Sequence, residues 1–128
     1  MLMLQVALIT GCSSGIGYET ALMLARNGYQ TIATMRNVKK SNSLLKTSEK
    51  ENLPLKVLEL DVNDVSSIER AICQVEKEAK RIDILINNAG YGLVGFFEEL
   101  SLDEIRNQFE TNFFGVLNIT KDRKSTRL

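Results

Sequence analysis

The chain has 128 residues, of which 44% are hydrophobic and 25% charged, and basic and acidic side chains are equal in number. These values are typical of one globular domain and exclude disordered, collagen-like and low-complexity classes. The absence of histidine excludes Ser-His-Asp and Cys-His catalysis and Cys2His2 zinc sites, and no metal site is predicted. A balanced charge argues against nucleic-acid binding. No apolar segment has membrane-spanning length, and Cys12 and Cys73 are expected to be reduced thiols in the cytoplasm.

Four short apolar segments predict buried strands at residues 5–10, 30–35, 55–60 and 84–86. Helices are predicted between them, the first from about residue 15 to residue 27 with Gly28 as its stop. Residues 37–54 are polar and predict a connection with one short helix. This alternation predicts a parallel sheet covered on both faces. Right-handed crossovers then give a truncated, doubly wound α/β (Rossmann) sheet in the order 3-2-1-4.

The two later helices carry cap signals and apolar stripes. Asp64 is the expected N-cap of a helix whose apolar residues recur at spacings of three and four: Val65, Ile68, Ile72, Val75 and Ala79. Ser101 and Glu104 have capping-box spacing at the start of the last helix. Its apolar stripe consists of Leu102, Ile105, Phe109, Phe113 and Val116.

A glycine-rich turn, Thr10-Gly11-Cys12-Ser13-Ser14-Gly15-Ile16-Gly17, joins the first strand to the first helix. Its glycines permit a tight turn, close approach to a diphosphate and close helix–strand packing. The helix start offers free N–H groups to a phosphate. The alternative is a plain strand–helix turn, but the position of the motif favours nucleotide binding. The segment is not a P-loop, since no Gly-Lys-Ser/Thr follows.

This turn resembles the cofactor motif of the short-chain dehydrogenase/reductase family. Three further motifs agree with that family in order: Leu60-Asp61-Val62, Asn87-Asn88-Ala89-Gly90, and Glu110-Thr111-Asn112 followed by Phe113-Phe114-Gly115-Val116. The resemblance covers residues 4 to 120. It implies an oxidoreductase that transfers a hydride between a nicotinamide cofactor and a small carbonyl or alcohol substrate of lipophilic type. A non-enzymatic NADP(H)-binding sensor on the same fold is the alternative.

The resemblance implies a set of cofactor-binding residues: Thr10, Gly11, Ser13, Ser14, Gly15, Ile16, Gly17, Arg36, Asp61, Val62, Asn88, Ala89 and Gly90. In that reading Asp61 contacts the adenine amine, although it could instead cap the next helix. Asn88 and Gly90 line the adenosine ribose while Asn87 braces the neighbouring strand; adjacent asparagines could also form only a turn.

Asn112 and Arg36 carry the two most specific expectations. Asn112 falls on the buried stripe of the last helix with Phe109 and Val116, and a buried amide must be hydrogen-bonded. It is either an ordinary satisfied core residue or, as the resemblance implies, the holder of a water in a proton relay. Residues 34–37 contain no acid that could bind a ribose 2′-hydroxyl, whereas Arg36 could pair with a 2′-phosphate or be a solvated surface residue. NADP(H) is therefore predicted, with NAD(H) as the alternative.

The family's catalytic Ser and Tyr-x-x-x-Lys are not found. The residues four positions after Tyr18, Tyr29 and Tyr91 are leucine, alanine and glycine. We therefore expect residues 1–121 to be the cofactor-binding half of a longer, homo-oligomeric parent, and the chain itself to be inactive. The edge of the fourth strand should then be open, and the last helix should expose Phe109, Phe113 and Leu117.

Residues 122–128, Asp-Arg-Lys-Ser-Thr-Arg-Leu, match the translation of a widely used sequencing adapter at all seven positions. We therefore predict that they are a non-native tail. The alternative is a natural basic tail for RNA or membrane contact.

Overall fold

The computed structural model describes residues 3–123. One parallel sheet contains four strands: β1 Val6–Ile9, β2 Gln30–Met35, β3 Leu55–Glu59 and β4 Ile84–Ile86. Their order is β3-β2-β1-β4, and all three neighbouring pairs are parallel. The predicted fold class and strand order are confirmed. Within residues 3–123, β4 pairs only with β1, so its other edge carries no strand.

The helical elements are α1 Gly15–Arg26, a 3-10 turn Val38–Ser41, α2 Asn42–Lys50, α3 Val65–Ala79, a 3-10 turn Phe97–Glu99, α4 Leu102–Phe109, a π segment Glu110–Phe114 and α5 Gly115–Arg123. The side chain of Asp64 accepts a hydrogen bond from Ser66 N, which confirms Asp64 as the N-cap of α3. Ser101 and Glu104 form the predicted capping box. None of the helices in the described residues combines the length and apolar character needed to cross a bilayer.

Two apolar clusters cover the two faces of the sheet. On one face Val6 and Leu8 of β1 pack with Ile68 and Ile72 of α3 and with Ile119 of α5. On the other face Ile9 of β1 packs with residues of β2, α1 and α2: Ala33, Met35, Ala21, Leu22 and Leu44. Since successive strand residues point to opposite faces, this alternation places α3 and α5 on one side and α1 and α2 on the other.

The predicted stripe of the last helix does not face the core. Phe109 and Phe113 are 58% and 53% exposed, and the residues buried against the sheet are Gly115 and Ile119. The π segment, which has more residues per turn than an α-helix, shifts the inward face relative to a regular helix. The expected exposure of Phe109, Phe113 and Leu117 is confirmed.

α5 continues through the first two residues of the predicted tail, and residues 124–128 lie outside the described residues.

Candidate nucleotide-binding groove

The glycine turn lies at the carboxyl end of β1, against the segment that follows β4. Gly11 has a φ of +72°, in the left-handed region that favours glycine. A Cβ atom on Gly17 would lie 2.5 Å from Asn88 Nδ2 and would collide with the carbonyl oxygen of Gly11. α1 can therefore approach the turn closely only because position 17 has no side chain.

The first turn of α1 presents backbone N–H groups to the same place. Ser14 is the N-cap, in extended conformation, and among the described residues its side chain makes no capping hydrogen bond. The first N–H groups of a helix have no partner within the helix and carry the positive end of its dipole. This arrangement suits an anion such as a diphosphate.

A groove of about 920 Å³ opens beside this turn. It is lined by Gly11, Ser13, Ser14, Ile16, Gly17, Met35, Arg36, Leu60, Asp61, Val62, Asn63, Asn88, Ala89, Gly90, Tyr91, Asn107, Glu110 and Thr111. Its volume lies at the upper end of the range of about 300–1,000 Å³ found for small-molecule sites. The groove runs along the carboxyl ends of the parallel strands, where ligands bind in doubly wound sheets. Eleven of the thirteen predicted cofactor-binding residues line it.

Thr10 and Gly15 do not line the groove. Thr10 is buried, and its hydroxyl oxygen accepts hydrogen bonds from Asn88 N at 3.1 Å and Ala89 N at 2.9 Å. Thr10 therefore holds the segment after β4 against β1 from behind the groove. Gly15 starts α1 with a φ of +62°.

The bracing role expected of Asn87 belongs to Asn88. Asn88 Nδ2 donates to the carbonyl oxygens of Thr10 and Gly11, each at 3.1 Å. Asn87 is exposed, and its side chain donates to Thr120 of α5 instead. The turn after β4 points the second amide, not the first, at β1, so the prediction for Asn87 was wrong.

Arg36 lies just after β2 with an exposed side chain on the wall of the groove. Within residues 3–123, no carboxylate lies at ion-pair distance from its guanidinium group. That positive charge is therefore available to a ligand, and a guanidinium group is well suited to phosphate oxygens.

Asp61 and Val62 follow β3 on the same wall. One carboxylate oxygen of Asp61 accepts a hydrogen bond from Asn63 N at 2.9 Å, and Asp61 N donates a hydrogen bond to Ser67 Oγ at 2.9 Å. Asp61 thus shapes its own loop, while Asp64 caps α3. Asp64, not Asp61, is thus the cap of α3, and the contact of Asp61 with adenine stays a prediction.

Asn112 is exposed and does not lie on a buried stripe. Its Oδ1 accepts from Tyr91 N at 3.0 Å and its Nδ2 donates to Tyr91 O at 2.7 Å. The amide is thus satisfied by one backbone residue of the segment after β4. Its role in holding a water stays a prediction.

Cys12 lies within the glycine turn but is not a candidate nucleophile. It is fully buried, and its thiol donates to Ile9 O at 3.4 Å. Burial raises the pKa of this thiol to about 12, so the thiolate is not formed at neutral pH.

Several residues of the groove, among them Asn63, Tyr91 and Thr111, are not predicted from the sequence. Two of the three could have been found from position alone. Asn63 follows a strand end that was already assigned to the site, and Tyr91 follows Gly90 directly. Thr111 comes from the last helix, and only the tertiary fold brings it to the groove. No three metal-ligating side chains converge anywhere in the part of the chain that the structure describes.

Comparison with known proteins agrees with this geometry. A sequence model of the short chain dehydrogenase family matches residues 5–124. Human retinol dehydrogenase 8 is 42% identical over 121 residues, covering 91% of this chain and 38% of the relative. The 3-ketodihydrosphingosine reductase of Bacteroides thetaiotaomicron is 40% identical over 117 residues, covering 91% of this chain and 40% of the relative.

A crystal structure of an F189W actinorhodin polyketide ketoreductase with NADPH superimposes with a TM-score of 0.90 at 31% identity. The match covers 96% of this chain and 47% of that structure. The chain therefore spans less than half the length of these three proteins.

Proposed function

The chain belongs to the short-chain dehydrogenase family, and we propose that it forms the cofactor-binding part of an NADP(H)-dependent oxidoreductase acting on a carbonyl or alcohol. The observation that carries this proposal is the groove at the carboxyl ends of the strands, with the glycine turn at its base and, on its wall, the Arg36 guanidinium group, which has no carboxylate partner within residues 3–123. Because the chain spans less than half of its relatives, the activity is proposed for the whole protein.

The residues present fit a dinucleotide. The start of α1 and the backbone of Gly11 and Ser13 would hold the diphosphate. With the diphosphate there and a 2′-phosphate on Arg36, the adenosine moiety lies toward the ends of β2 and β3, against Asp61 and Val62. When bound, the nicotinamide supplies or accepts the hydride.

The preference for NADP(H) is supported by Arg36 at the end of β2. An acid at this place would bind the ribose 2′-hydroxyl of NAD and repel a phosphate. Arg36 stands there instead, with an exposed guanidinium group on the groove wall that pairs with no carboxylate of the described residues. The ketoreductase structure that superimposes on this chain contains NADPH, which agrees with the proposal.

A lipophilic substrate is supported by the segment after β4. Tyr91 lines the groove, and the side chains that follow it are strongly exposed: Val94 at 93%, Phe96 at 72% and Phe97 at 79%. Exposed apolar side chains beside a groove are typical of surfaces that bind an apolar ligand or another part of the protein. The two relatives named above, a retinol dehydrogenase and a 3-ketodihydrosphingosine reductase, both carry the names of lipids.

The test is the affinity of the chain for NADPH and NADH before and after Arg36→Asp. Losing a charge-assisted hydrogen bond to the 2′-phosphate should weaken NADPH binding about tenfold or more while NADH binding is kept. Lys39→Asp is the matched control, because it makes the same charge change at an exposed site three residues away that does not line the groove. Equal losses in both variants, or unchanged affinities in Arg36→Asp, would contradict the proposal.

A further inference from the structure

The π segment Glu110–Phe114 is bonded to both loops that border the groove. Asn63, in the loop of residues 60–64 after β3, donates from Nδ2 to Thr111 Oγ1 at 2.8 Å. The next residue, Asn112, exchanges two hydrogen bonds with the backbone of Tyr91 in the segment after β4. One turn of irregular helix thus connects the two sides of the groove.

The loop after β3 is tied to itself as well as to the π segment. Asn63 N donates a hydrogen bond to Asp61 Oδ1. Asp61 N in turn donates to Ser67 Oγ at 2.9 Å, which ties the backbone of Asp61 to α3. The position of the Asn63 side chain is therefore linked through its own backbone to the Asp61 carboxylate. Asn63 therefore joins the π segment to the loop that carries Asp61.

Close packing at the next turn of the helix is a second, independent contact between the helix and the loop after β3. A Cβ atom on Gly115 would lie 2.8 Å from Val62 Cγ2 and 3.3 Å from the Val62 carbonyl oxygen. The helix can approach the loop this closely only because Gly115 has no side chain. The hydrogen bond at Thr111 and the contact at Gly115 hold the same loop at two points.

We propose that the Asn63–Thr111 hydrogen bond is a clasp that positions Asp61 and Val62 for the adenosine end of the cofactor. The inference rests on the proposed function, which places adenosine against these two residues. Asn63 and Thr111 are positioning residues, since they act through the loop that they hold. A loop held in its binding conformation before the ligand arrives loses less conformational freedom on binding, and the affinity is correspondingly higher.

The clasp is tested by calorimetric titration of the chain with three probes: NADPH, 2′,5′-ADP and reduced nicotinamide mononucleotide. Thr111→Val removes the hydroxyl acceptor at nearly constant shape, and Asn63→Ala removes the donor. Loss of one hydrogen bond should weaken binding of NADPH and 2′,5′-ADP about 2- to 10-fold. The double variant should lose no more than either single variant, because both remove the same contact. Binding of reduced nicotinamide mononucleotide should not change.

Thr111→Ser is the matched control, because it keeps the hydroxyl group and should retain wild-type affinity. If Thr111→Val lowers the urea midpoint, the affinities of Asn63→Ala are used for the test. Asn63 is exposed on a loop, so its replacement should leave the stability of the fold unchanged. Equal affinities in all variants of a chain that binds NADPH would overturn the clasp alone. Weaker binding of all three probes would also overturn it, because that result indicates general loosening. A wild-type chain that binds neither NADPH nor 2′,5′-ADP would overturn the proposed function, and the clasp with it.

Discussion

Replacing Gly17 with alanine should destabilise the fold and distort the backbone of the glycine turn. The added methyl carbon would lie 2.5 Å from Asn88 Nδ2 and closer still to the carbonyl oxygen of Gly11. The Gly11 oxygen belongs to the backbone, so it cannot rotate away as a side chain can. Because the methyl carbon meets both groups, α1 must be displaced and the two hydrogen bonds from Asn88 to the turn are weakened or lost.

The size of the effect follows from three terms. Overpacking costs about 1–3 kcal/mol, and each of the two hydrogen bonds contributes about 0.5–1.5 kcal/mol. Alanine recovers up to about 1 kcal/mol through its higher helix propensity. Together these ranges give an expected loss of about 1–5 kcal/mol in the free energy of unfolding for Gly17→Ala, against the roughly 5–15 kcal/mol typical of a domain.

Urea unfolding followed by circular dichroism measures this loss, and NADPH titration measures the damage to the turn. Gly92→Ala is the control, because a Cβ atom there meets nothing within 4 Å. It should change the stability by no more than about 0.5 kcal/mol. Equal urea midpoints for Gly17→Ala and Gly92→Ala would refute the argument that α1 packs on the turn through Gly17.

Three further predictions concern titratable groups. At pH 8, iodoacetamide should label exposed Cys73 and leave buried Cys12 unmodified until urea is added, and labelling of both at equal rates would contradict the burial. Because burial raises the pKa of Cys12 from 9.0 to about 12, its contribution to stability is present below pH 9 and is lost as the pH rises toward 12; Cys12→Ala should weaken this dependence in urea unfolding. The hydrogen bonds from Arg26, both at 2.7 Å, lower the pKa of Glu51, so Glu51→Gln should slightly reduce the urea midpoint at neutral pH. That difference should vanish as the pH falls through the lowered pKa of Glu51, and a difference that persists in acid would point to packing instead of charge.

The sheet and the glycine turn were predictable because their signals are local. Short apolar segments between polar ones located β2 and β4 at their observed bounds, and the alternation with helices determined the strand order. The cap at Asp64 and the capping box at Ser101 were also predicted, since each depends on residues within one turn. The connection at residues 37–54 was predicted less well, and it contains a 3-10 turn followed by α2.

The last helix was predicted poorly because two of its features are not local. A π segment shifts the register within the helix, so extrapolating the apolar spacing from Ile105 put Asn112 on the wrong face. The residues that do pack inward, Gly115 and Ile119, are selected by the close approach to the loop after β3. A further non-local effect gives Asn88 the bracing role expected of Asn87, since the turn that orients the two side chains depends on contacts with β1.

The most direct test of the central claim is to titrate the isotopically labelled chain with NADPH and follow the backbone amide signals. Binding in the proposed groove should shift the signals of residues 11–17, of Arg36, of residues 61–63 and of residues 88–91 together, with one dissociation constant. NADH should shift the signals of residues 11–17, 61–63 and 88–91 and leave Arg36 nearly unchanged, because it lacks only the 2′-phosphate. The absence of shifts at the glycine turn, or shifts confined to the exposed face of Phe109 and Phe113, would contradict a dinucleotide site at the carboxyl ends of the strands.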